Sequence, residues 1–308
     1  MRRLDRLWRG RPNLRPRSAH RRRIAVGGLR HVSRLAAFDI AFERLDSPQS
    51  KAARAQEITV CASAGEAAAQ ADLVISAVTA GSALTAAESV AGHLRHAPFF
   101  LDVNSVSPST KQAASAVVEQ AGGRYVEASV MTSVPPHGIR SPMLLGGPHA
   151  ETFIDLAAPW DMRLTAFSPE VGRASSVKMC RSVMIKGLEA LTTECLLAAR
   201  HYGVEEQVLS SLADTLPHKD WAGLARWMIS RPLVHGRRRA EEMREVARTV
   251  REAGIEPILS APTAIRQDWA AERGRELPPG VLTGGDLEAL LDALLALPAL
   301  HAAASDEG

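Results

Sequence analysis

The sequence predicts two domains: an α/β domain with a parallel sheet over residues 24–168, and an all-α domain over residues 169–308. Three observations support this organisation. The chain has 308 residues, a length that suits about two domains. Short apolar runs alternate with alanine-rich stretches up to residue 168, and strand signals nearly vanish from residue 172 onward. An apolar fraction of 46% is enough for well-packed cores.

The apolar runs of the first domain are typical of strands, and the alanine-rich stretches between them are typical of helices. We expect strands at 35–40, 58–61, 72–78, 99–103, 124–129, 142–147 and 162–167, and helices at 63–71, 82–94 and 107–122. Strands that are apolar throughout and alternate with helices favour a parallel sheet covered on both faces. Ligands bind at the carboxyl ends of the strands in such sheets, so polar residues that follow these ends are candidate site residues.

The second domain is predicted to be helical and to begin with one long helix from about 172 to 202. Apolar residues recur at intervals of three and four along it, at Val177, Cys180, Met184, Leu188, Leu191 and Cys195. Further helices are expected at 204–215, 219–230, 237–253, 262–274 and 285–297. The last of these is amphipathic, which favours a core or dimer contact over a membrane anchor.

Composition excludes several classes of protein. Ten arginines and one aspartate give residues 1–23 a charge of +9, so the rest of the chain carries −6 of the total of +3. We expect this basic arm to be disordered, since its charges repel each other and little of it is apolar. Aromatic residues make up only 4%, which argues against a base-stacking nucleic-acid surface. No run of about 20 uncharged apolar residues occurs, so no membrane span is predicted.

The three cysteines, Cys61, Cys180 and Cys195, form no CxxC pair and no zinc-like cluster with histidines. We therefore predict no metal site and no disulfide, and a reduced, cytoplasmic protein.

Three motifs occur in order: DVNSVSPSTKQ (102–112), VEAS (126–129) and GRASSVKMCRS (172–182). Together they resemble the β-hydroxyacid dehydrogenase superfamily, which includes 3-hydroxyisobutyrate and 6-phosphogluconate dehydrogenases. The stretch at 235–257 is similar to a less characterised branch of it. The resemblance covers about 35–275 and implies a Rossmann-like dinucleotide-binding domain, a 6-phosphogluconate-dehydrogenase-like all-α domain and an interdomain helix between the two. It also implies NAD(P)-dependent oxidation or reduction of a small hydroxy-acid-like or related carbonyl substrate.

The resemblance assigns a catalytic role to Lys178. The family motif is Gly-x-Gly-x-x-x-Lys-x-x-Asn-Asn, in which the lysine acts as general acid or base. Gly172 and Lys178 match it, Ala174 replaces the second glycine, and Ser182 stands at an asparagine position as a second catalytic candidate. A lysine that faces a closed, partly apolar cleft near a helix N-terminus has its charged form disfavoured, which suits proton transfer. The alternative is an ordinary surface lysine.

The resemblance also indicates residues that contact the substrate: Asn104, Ser105, Met131, Thr132 and Arg181. Met131 replaces the substrate-binding serine of the family, so we expect more apolar surface and one hydroxyl fewer. Arg181 offers a planar guanidinium that suits an anionic group. Both changes favour an anionic substrate that is bulkier than hydroxyisobutyrate; alternatively, Arg181 points outward and pairs with a surface acid.

The residues expected to hold the cofactor are Gly27, Gly28, Asp39, Val78, Thr79, Asn104 and Ser105. A carboxylate at the end of the 35–40 strand can accept bonds from both ribose hydroxyls of NAD and repel the 2′-phosphate of NADP. NAD is therefore favoured over NADP. Equally, Asp39 can simply form the turn after this strand.

The glycine-rich loop departs from the family. A dinucleotide fingerprint needs three glycines and a helix, with the acidic residue about 20 residues further on. Here ten residues separate Gly28 from Asp39, and no third glycine is present. Three explanations stay open. Residues 1–34 can be out-of-frame translation joined to an authentic frame near Leu35, or the whole chain can be a divergent form that has lost cofactor binding. Alternatively, the arm is functional and binds nucleic acid or targets the protein. The Arg-, Pro-, Gly- and His-rich composition favours the first.

Arg237, Arg238 and Arg239 can hold an anionic substrate group or a cofactor phosphate, although a solvated face paired with Glu241 and Glu242 is favoured. We expect a homodimer through the helical domain. Two function classes stay open: an NAD(P)-dependent oxidoreductase, and a non-catalytic relic that still dimerises.

Overall fold

The computed structural model describes residues 34–298, apart from 57 and 285. The predicted arm at 1–23 and the candidate cofactor residues Gly27 and Gly28 lie outside the described residues. Described residues up to Cys180 form one compact unit, and those from Arg181 form a second. The predicted domain boundary lay slightly earlier, between residues 168 and 169.

Within the described part of the first unit, the strands follow the predicted apolar runs. They are β1 (Ala36–Ala37), β2 (Thr59–Val60), β3 (Leu73–Ser76), β4 (Phe99–Asp102), β5 (Arg124–Val130), β6 (Met143–Gly146) and β7 (Leu164–Ser168). The helices of this unit are α1 (Pro48–Ala55), α2 (Ala64–Ala68), α3 (Ala83–Ala91), α4 (Pro108–Gln120), α5 (Val134–His137) and α6 (Ala150–Ala157). Helices α2, α3 and α4 were predicted, whereas α1, α5 and α6 were not.

The main sheet among the described residues has the order β3-β4-β5-β6-β7, and β1 pairs with β2 separately and in parallel. Strands β3, β4 and β5 run parallel to each other, as do β6 and β7. Strand β6 runs antiparallel to β5, so the expectation of a wholly parallel sheet was wrong at this pair. An apolar run indicates that both faces of a strand are buried. It does not indicate whether the strand runs parallel or antiparallel to its neighbour.

Both faces of the sheet are covered at β4, as predicted, whereas the edge strand β7 is largely exposed. On β4, Phe99 and Leu101 pack on one side with Phe153 of α6. Phe100 points to the other side and packs with Val118 of α4. This alternation is the two-residue periodicity of a strand. Because both sides of β4 are covered, a ligand can reach it only at its ends.

The second unit is helical throughout its described residues. Helix α7 (Arg173–Tyr202) spans the division between the units, and it is followed by α8 (Glu205–Thr215), α9 (Trp221–Glu252), α10 (Ser260–Glu276), α11 (Pro279–Thr283) and α12 (Leu287–Leu295). Leu287, Leu290 and Leu294 of α12 are buried in the core with Ile229 of α9, which confirms the core alternative for this segment. No helix in the described ranges is long and apolar enough to cross a bilayer.

The two helices predicted at 219–230 and 237–253 are in fact one helix, α9, with Pro232 inside it. Proline and glycine usually mark a helix boundary, which explains the wrong prediction. Gly236 is required here for packing instead, because a Cβ at this position would collide with the carbonyl oxygen of Gln267 on α10. Likewise, a Cβ at Gly274 of α10 would collide with the backbone of Leu233. The two glycines let α9 and α10 approach closely.

Candidate active site

The adjacent carboxyl ends of β3 and β4 are joined by Asn104. The side-chain oxygen Oδ1 of this buried residue accepts a 2.7 Å hydrogen bond from the backbone N–H of Val78, and Nδ2 donates to Ser76 Oγ at 2.9 Å. Ligands of doubly wound sheets bind at this edge. The amide of Asn104 therefore fixes the spacing of the two strand ends that would face a ligand.

A buried triad lies beneath this edge and consists of the ion pair Lys111–Asp102 and the neutral Tyr125. Lys111 and Asp102, whose side chains are 0% and 1% exposed, form an ion pair with an Nζ–Oδ1 distance of 2.9 Å. Lys111 Nζ also donates to the carbonyl of Asp102 at 2.9 Å, and Tyr125 OH donates to Asp102 Oδ2 at 2.8 Å. Burial raises the pKa of Tyr125 well above its ordinary value, and the Asp102 carboxylate raises it further, so the phenol stays protonated and donates. Asp102 Oδ1 also accepts from the backbone N–H of Asn104 at 2.9 Å, which ties the triad to the edge.

Lys178 reaches the same edge from α7. Its Nζ donates a 2.6 Å hydrogen bond to the Oγ of Ser105, the residue after Asn104. Both side chains are half-buried, so a ligand can approach them while bulk water is partly excluded. This pair combines a group that can carry a proton with a hydroxyl that orients it.

The start of α7 is held by the buried carboxylate of Glu127 on β5. Glu127 Oε2 accepts from the backbone N–H of Gly172 at 2.7 Å, and Oε1 accepts from that of Ser175 at 2.5 Å. A carboxylate at a helix N-terminus satisfies unpaired N–H groups and offsets the positive end of the helix dipole. This contact explains how α7 tolerates a lysine near its start, and it fixes the first turns of the helix against the sheet.

Two glycines make room for the Glu127 contact. Gly172 has φ +103°, a left-handed conformation that favours glycine. A Cβ at Gly146 on β6 would collide with the Glu127 carboxylate. The family glycine at position 172 is therefore explained by the backbone geometry at the start of α7.

The structure brings together some of the predicted site residues. Val78, Asn104, Ser105 and Lys178 are linked by the hydrogen bonds above. Exposed Thr79 follows Val78 at the same strand end, and its Oγ1 lies 3.4 Å from Ser82 Oγ.

Other predicted site residues have different surroundings. Asp39 Oδ1 accepts from the backbone N–H of Ala41 at 2.8 Å, as in the turn alternative, and among the described residues Oδ2 stays available for a ligand. Met131 is half-buried and Thr132 is exposed, after the end of β5. In the second unit, Arg181 is exposed, and Ser182 is buried and accepts from Lys186 Nζ at 3.5 Å.

Sequence reasoning missed the structural roles of Asp102, Lys111, Tyr125 and Glu127. One signal was available, because FFLDV and RYVEAS place a carboxylate inside an apolar run. A charge buried within a sheet needs a partner. Nothing in the sequence, however, identified Lys111 or the N-terminus of α7 as those partners.

Similar proteins identify the family. Residues 30–151 match the NAD binding domain of 6-phosphogluconate dehydrogenase, and residues 199–270 match a domain of unknown function, DUF1932. A conserved hypothetical protein from Sinorhizobium meliloti is 33% identical, over 85% of this chain and 87% of that chain, with a TM-score of 0.62. The conserved protein MTH1747, described as structurally similar to 3-hydroxyacid dehydrogenases, is 31% identical over 78% of this chain and 88% of that chain, with a TM-score of 0.58.

The chain belongs to this family of 3-hydroxyacid dehydrogenase-like proteins. The 3-hydroxyisobutyrate dehydrogenase of Mycobacterium tuberculosis shares the fold, with a TM-score of 0.59 at 18% identity over 84% of this chain and 90% of that chain. These findings confirm the resemblance and the predicted fold class, a Rossmann-like domain followed by a helical one. They also indicate a dehydrogenase or reductase that uses a nicotinamide cofactor. The match to the NAD-binding domain begins after Gly27 and Gly28.

Proposed function

We propose that this protein is an NAD(P)-dependent oxidoreductase in which Lys178 is the general acid or base for a small hydroxy-acid-like or related carbonyl substrate. The observation that carries the proposal is the 2.6 Å hydrogen bond between Lys178 Nζ and Ser105 Oγ at the end of β4. It sets a proton carrier beside the strand edge at which ligands of this fold class bind. Replacing Lys178 with methionine tests it, because turnover should fall while cofactor binding changes little.

The described residues fit the nicotinamide and ribose part of the cofactor. The end of β3 offers the backbone at Val78 and the exposed hydroxyl of Thr79, and the end of β4 offers the hydroxyl of Ser105. Asp39, after β1, keeps one carboxylate oxygen for a ribose hydroxyl. When bound, the nicotinamide ring would accept or supply the hydride.

The proton chemistry belongs to Lys178. In the oxidation direction, neutral Nζ takes the proton that the substrate hydroxyl releases, and in the reduction direction the ammonium returns it to the carbonyl oxygen. Ser105 accepts an N–H of Lys178 and so holds the amine in place. The Glu127 carboxylate fixes the helix that carries Lys178, which keeps the amine positioned through the reaction.

The proposed substrate is anionic and carries an apolar portion. Met131 supplies a half-buried apolar surface after β5, in place of the serine of related enzymes. Arg181 supplies an exposed guanidinium that can pair with a carboxylate or phosphate. Both features favour an anionic substrate bulkier than hydroxyisobutyrate.

We predict that Asp39→Asn shifts cofactor preference toward NADP. The asparagine oxygen can still accept from the Ala41 N–H, so the turn is preserved, while the charge that repels a 2′-phosphate is removed. The ratio of NAD to NADP affinity, measured by calorimetry, should fall by about tenfold or more, or ~1.4 kcal/mol. Asp46→Asn, at an exposed acid nearby, is the control. An unchanged ratio would show that Asp39 is only a turn residue.

We further propose that the protein is a homodimer through the apolar stripe of α7. Met184 and Leu191 are each 63% exposed within one chain, and Leu188 is 37% exposed. Large apolar residues exposed in a row on one helix mark an interaction surface. A second copy of the chain would bury the same stripe on both partners, as twofold symmetry requires.

The exposed apolar residues Met184, Leu188 and Leu191 of α7 give a prediction about the oligomeric state. Leu191→Glu should convert the dimer to a monomer, because it places a charge in an apolar interface where nothing pairs with it. Sedimentation velocity measures the change directly. Leu216→Glu, at a 54% exposed leucine outside α7, should leave the dimer intact. A monomeric wild type, or a Leu191→Glu dimer, would contradict the proposal.

A further inference from the structure

A cluster of charged side chains joins α7 to α9 within the second unit. We call it the cation-rich cluster, and its members are Lys186 and Glu189 on α7 and Arg231, Arg238, Arg239 and Glu242 on α9. The two helices are therefore joined here by charge as well as by apolar contacts.

Each carboxylate in the cluster is shared by two cations. Glu242 pairs with Lys186 at an Nζ–Oε2 distance of 3.0 Å, and also with Arg238. Glu189 pairs with Arg239, and with Arg231 at an Nε–Oε1 distance of 3.4 Å. Four cations thus meet two carboxylates among the described residues of the cluster, which leaves an excess charge of about +2.

This excess lies at the outer side of the cluster. Lys186, Glu189, Arg239 and Glu242 are all buried, and these two cations and two carboxylates balance each other. The remaining charge of about +2 is carried by Arg231 and Arg238, each of which shares a carboxylate that already pairs with a buried cation. A bound anion would supply negative charge to these two arginines.

The cations of the cluster also affect each other's protonation. Burial lowers the pKa of Lys186; Glu242 opposes this, whereas Arg239 and Arg238 add to it. Burial also lowers the pKa of Arg231, and Arg238 again contributes. A ligand with negative charge would relieve this repulsion.

A hydrogen-bond donor at the cluster is also unused. Gln267 on α10 accepts from Arg239 Nε with its oxygen at 3.2 Å. Its buried Nε2 donates to no partner in the part of the chain that the structure describes. A buried donor without a partner costs about 1–3 kcal/mol, so it is an independent sign of a missing acceptor.

The cluster is open to a ligand on one side. The side chains of Arg231 and Arg238 are 27% and 36% exposed. The guanidinium carbon of Arg231 lies 4.8 Å from the ring centroid of Trp227, which orients it. Guanidinium groups present paired donors that match carboxylate and phosphate oxygens.

We propose that the cation-rich cluster is a binding site for the anionic group of a small molecule, a phosphate or a carboxylate. Arg231 and Arg238 contact the group at the open side, and the buried pairs Lys186–Glu242 and Arg239–Glu189 lie behind them. Arg231, Arg238, Arg239 and Glu242 fall inside the DUF1932 match at 199–270, and Lys186 and Glu189 lie before it on α7. That the small molecule is the substrate rests on the proposed function, but binding of the anion itself does not.

The test is calorimetric titration of the full chain, without cofactor, at constant ionic strength. Sodium phosphate is titrated in one arm and sodium acetate in the other, which distinguishes the two anion types. We expect saturable binding of at least one anion, weakened about tenfold or more by Arg231→Gln. Arg238→Gln gives a second variant of the cluster, and circular dichroism checks that each variant is folded.

The matched control is Arg237→Gln. Arg237 is adjacent in sequence and 56% exposed, but it pairs with Asp268 at 3.1 Å, outside the cluster. Anion binding should be unchanged in this variant. Absence of saturable binding by both anions, or an equal loss in the Arg237 control, would overturn the site. Because turnover is not measured, failure of the oxidoreductase proposal would leave this result standing.

Discussion

Replacing Lys178 with methionine is expected to lower turnover by about 10²–10⁴-fold, the range for losing a general acid or base. Methionine keeps much of the length and apolar volume of lysine but cannot carry a proton. Binding of NADH should change little, because the hydrogen bonds of Val78 and Asn104 at the strand ends do not involve Lys178. Steady-state kinetics with any substrate of the wild type, together with calorimetry for NADH, measure both quantities.

The control for this variant is Lys219→Met. Lys219 is exposed in the second unit, so its removal changes the net charge equally but should leave turnover unchanged. Turnover of Lys178→Met close to that of the wild type, in a folded protein, would reject the catalytic assignment.

Replacing Lys111 with methionine is expected to lower the free energy of unfolding of the first unit by about 3–5 kcal/mol, the cost of leaving a buried charge without its partner. Among the described residues, Asp102 would then keep two neutral donors, Tyr125 OH and the backbone N–H of Asn104. Urea denaturation followed by circular dichroism measures the change.

Tyr125→Phe is the comparison for this variant. It removes one neutral donor from the same carboxylate while the ion pair stays, so the expected loss is about 1–3 kcal/mol. A Lys111→Met protein as stable as the wild type would show that the triad does not support the edge of the sheet.

Local patterns predicted most of the first unit. Apolar runs located all the strands that the structure describes there, although β4 is buried throughout and both residues of β2 are exposed. The direction of β6 could not be read from its run, because direction depends on the path between strands and not on burial. Helix α1 was missed even though Ser47 and Pro48 repeat the start signal seen at Ser107, since the helix is short and largely polar.

The candidate site was predictable only where a motif carried it. Lys178 and Ser105 were predicted from two separate motifs, and Lys178 Nζ lies 2.6 Å from Ser105 Oγ in the structure. The contact of Glu127 with the start of α7 joins residues 45 and 48 positions apart, and no local pattern encodes such a pairing. The cation-rich cluster could not be predicted for the same reason, because it joins residues of α7 to residues of α9 that are far apart in sequence.

The apolar residues along α7 show a different limit of sequence-based prediction. Their spacing of three and four correctly indicated one apolar helix face. Spacing does not say what covers that face, and Met184 and Leu191 are exposed within a single chain. A second copy of the protein is the proposed cover, which only a measurement of oligomeric state can test.

We propose that this chain binds a nicotinamide cofactor at the ends of β3 and β4. Calorimetric titration of the full chain with NADH, and separately with NADPH, measures this binding. We expect saturable binding of at least one of the two, with NADH bound more tightly. Binding of neither cofactor would rule out the proposed site and would favour the non-catalytic relic, in which the departure of Gly27 and Gly28 from the glycine-rich fingerprint has abolished the phosphate site.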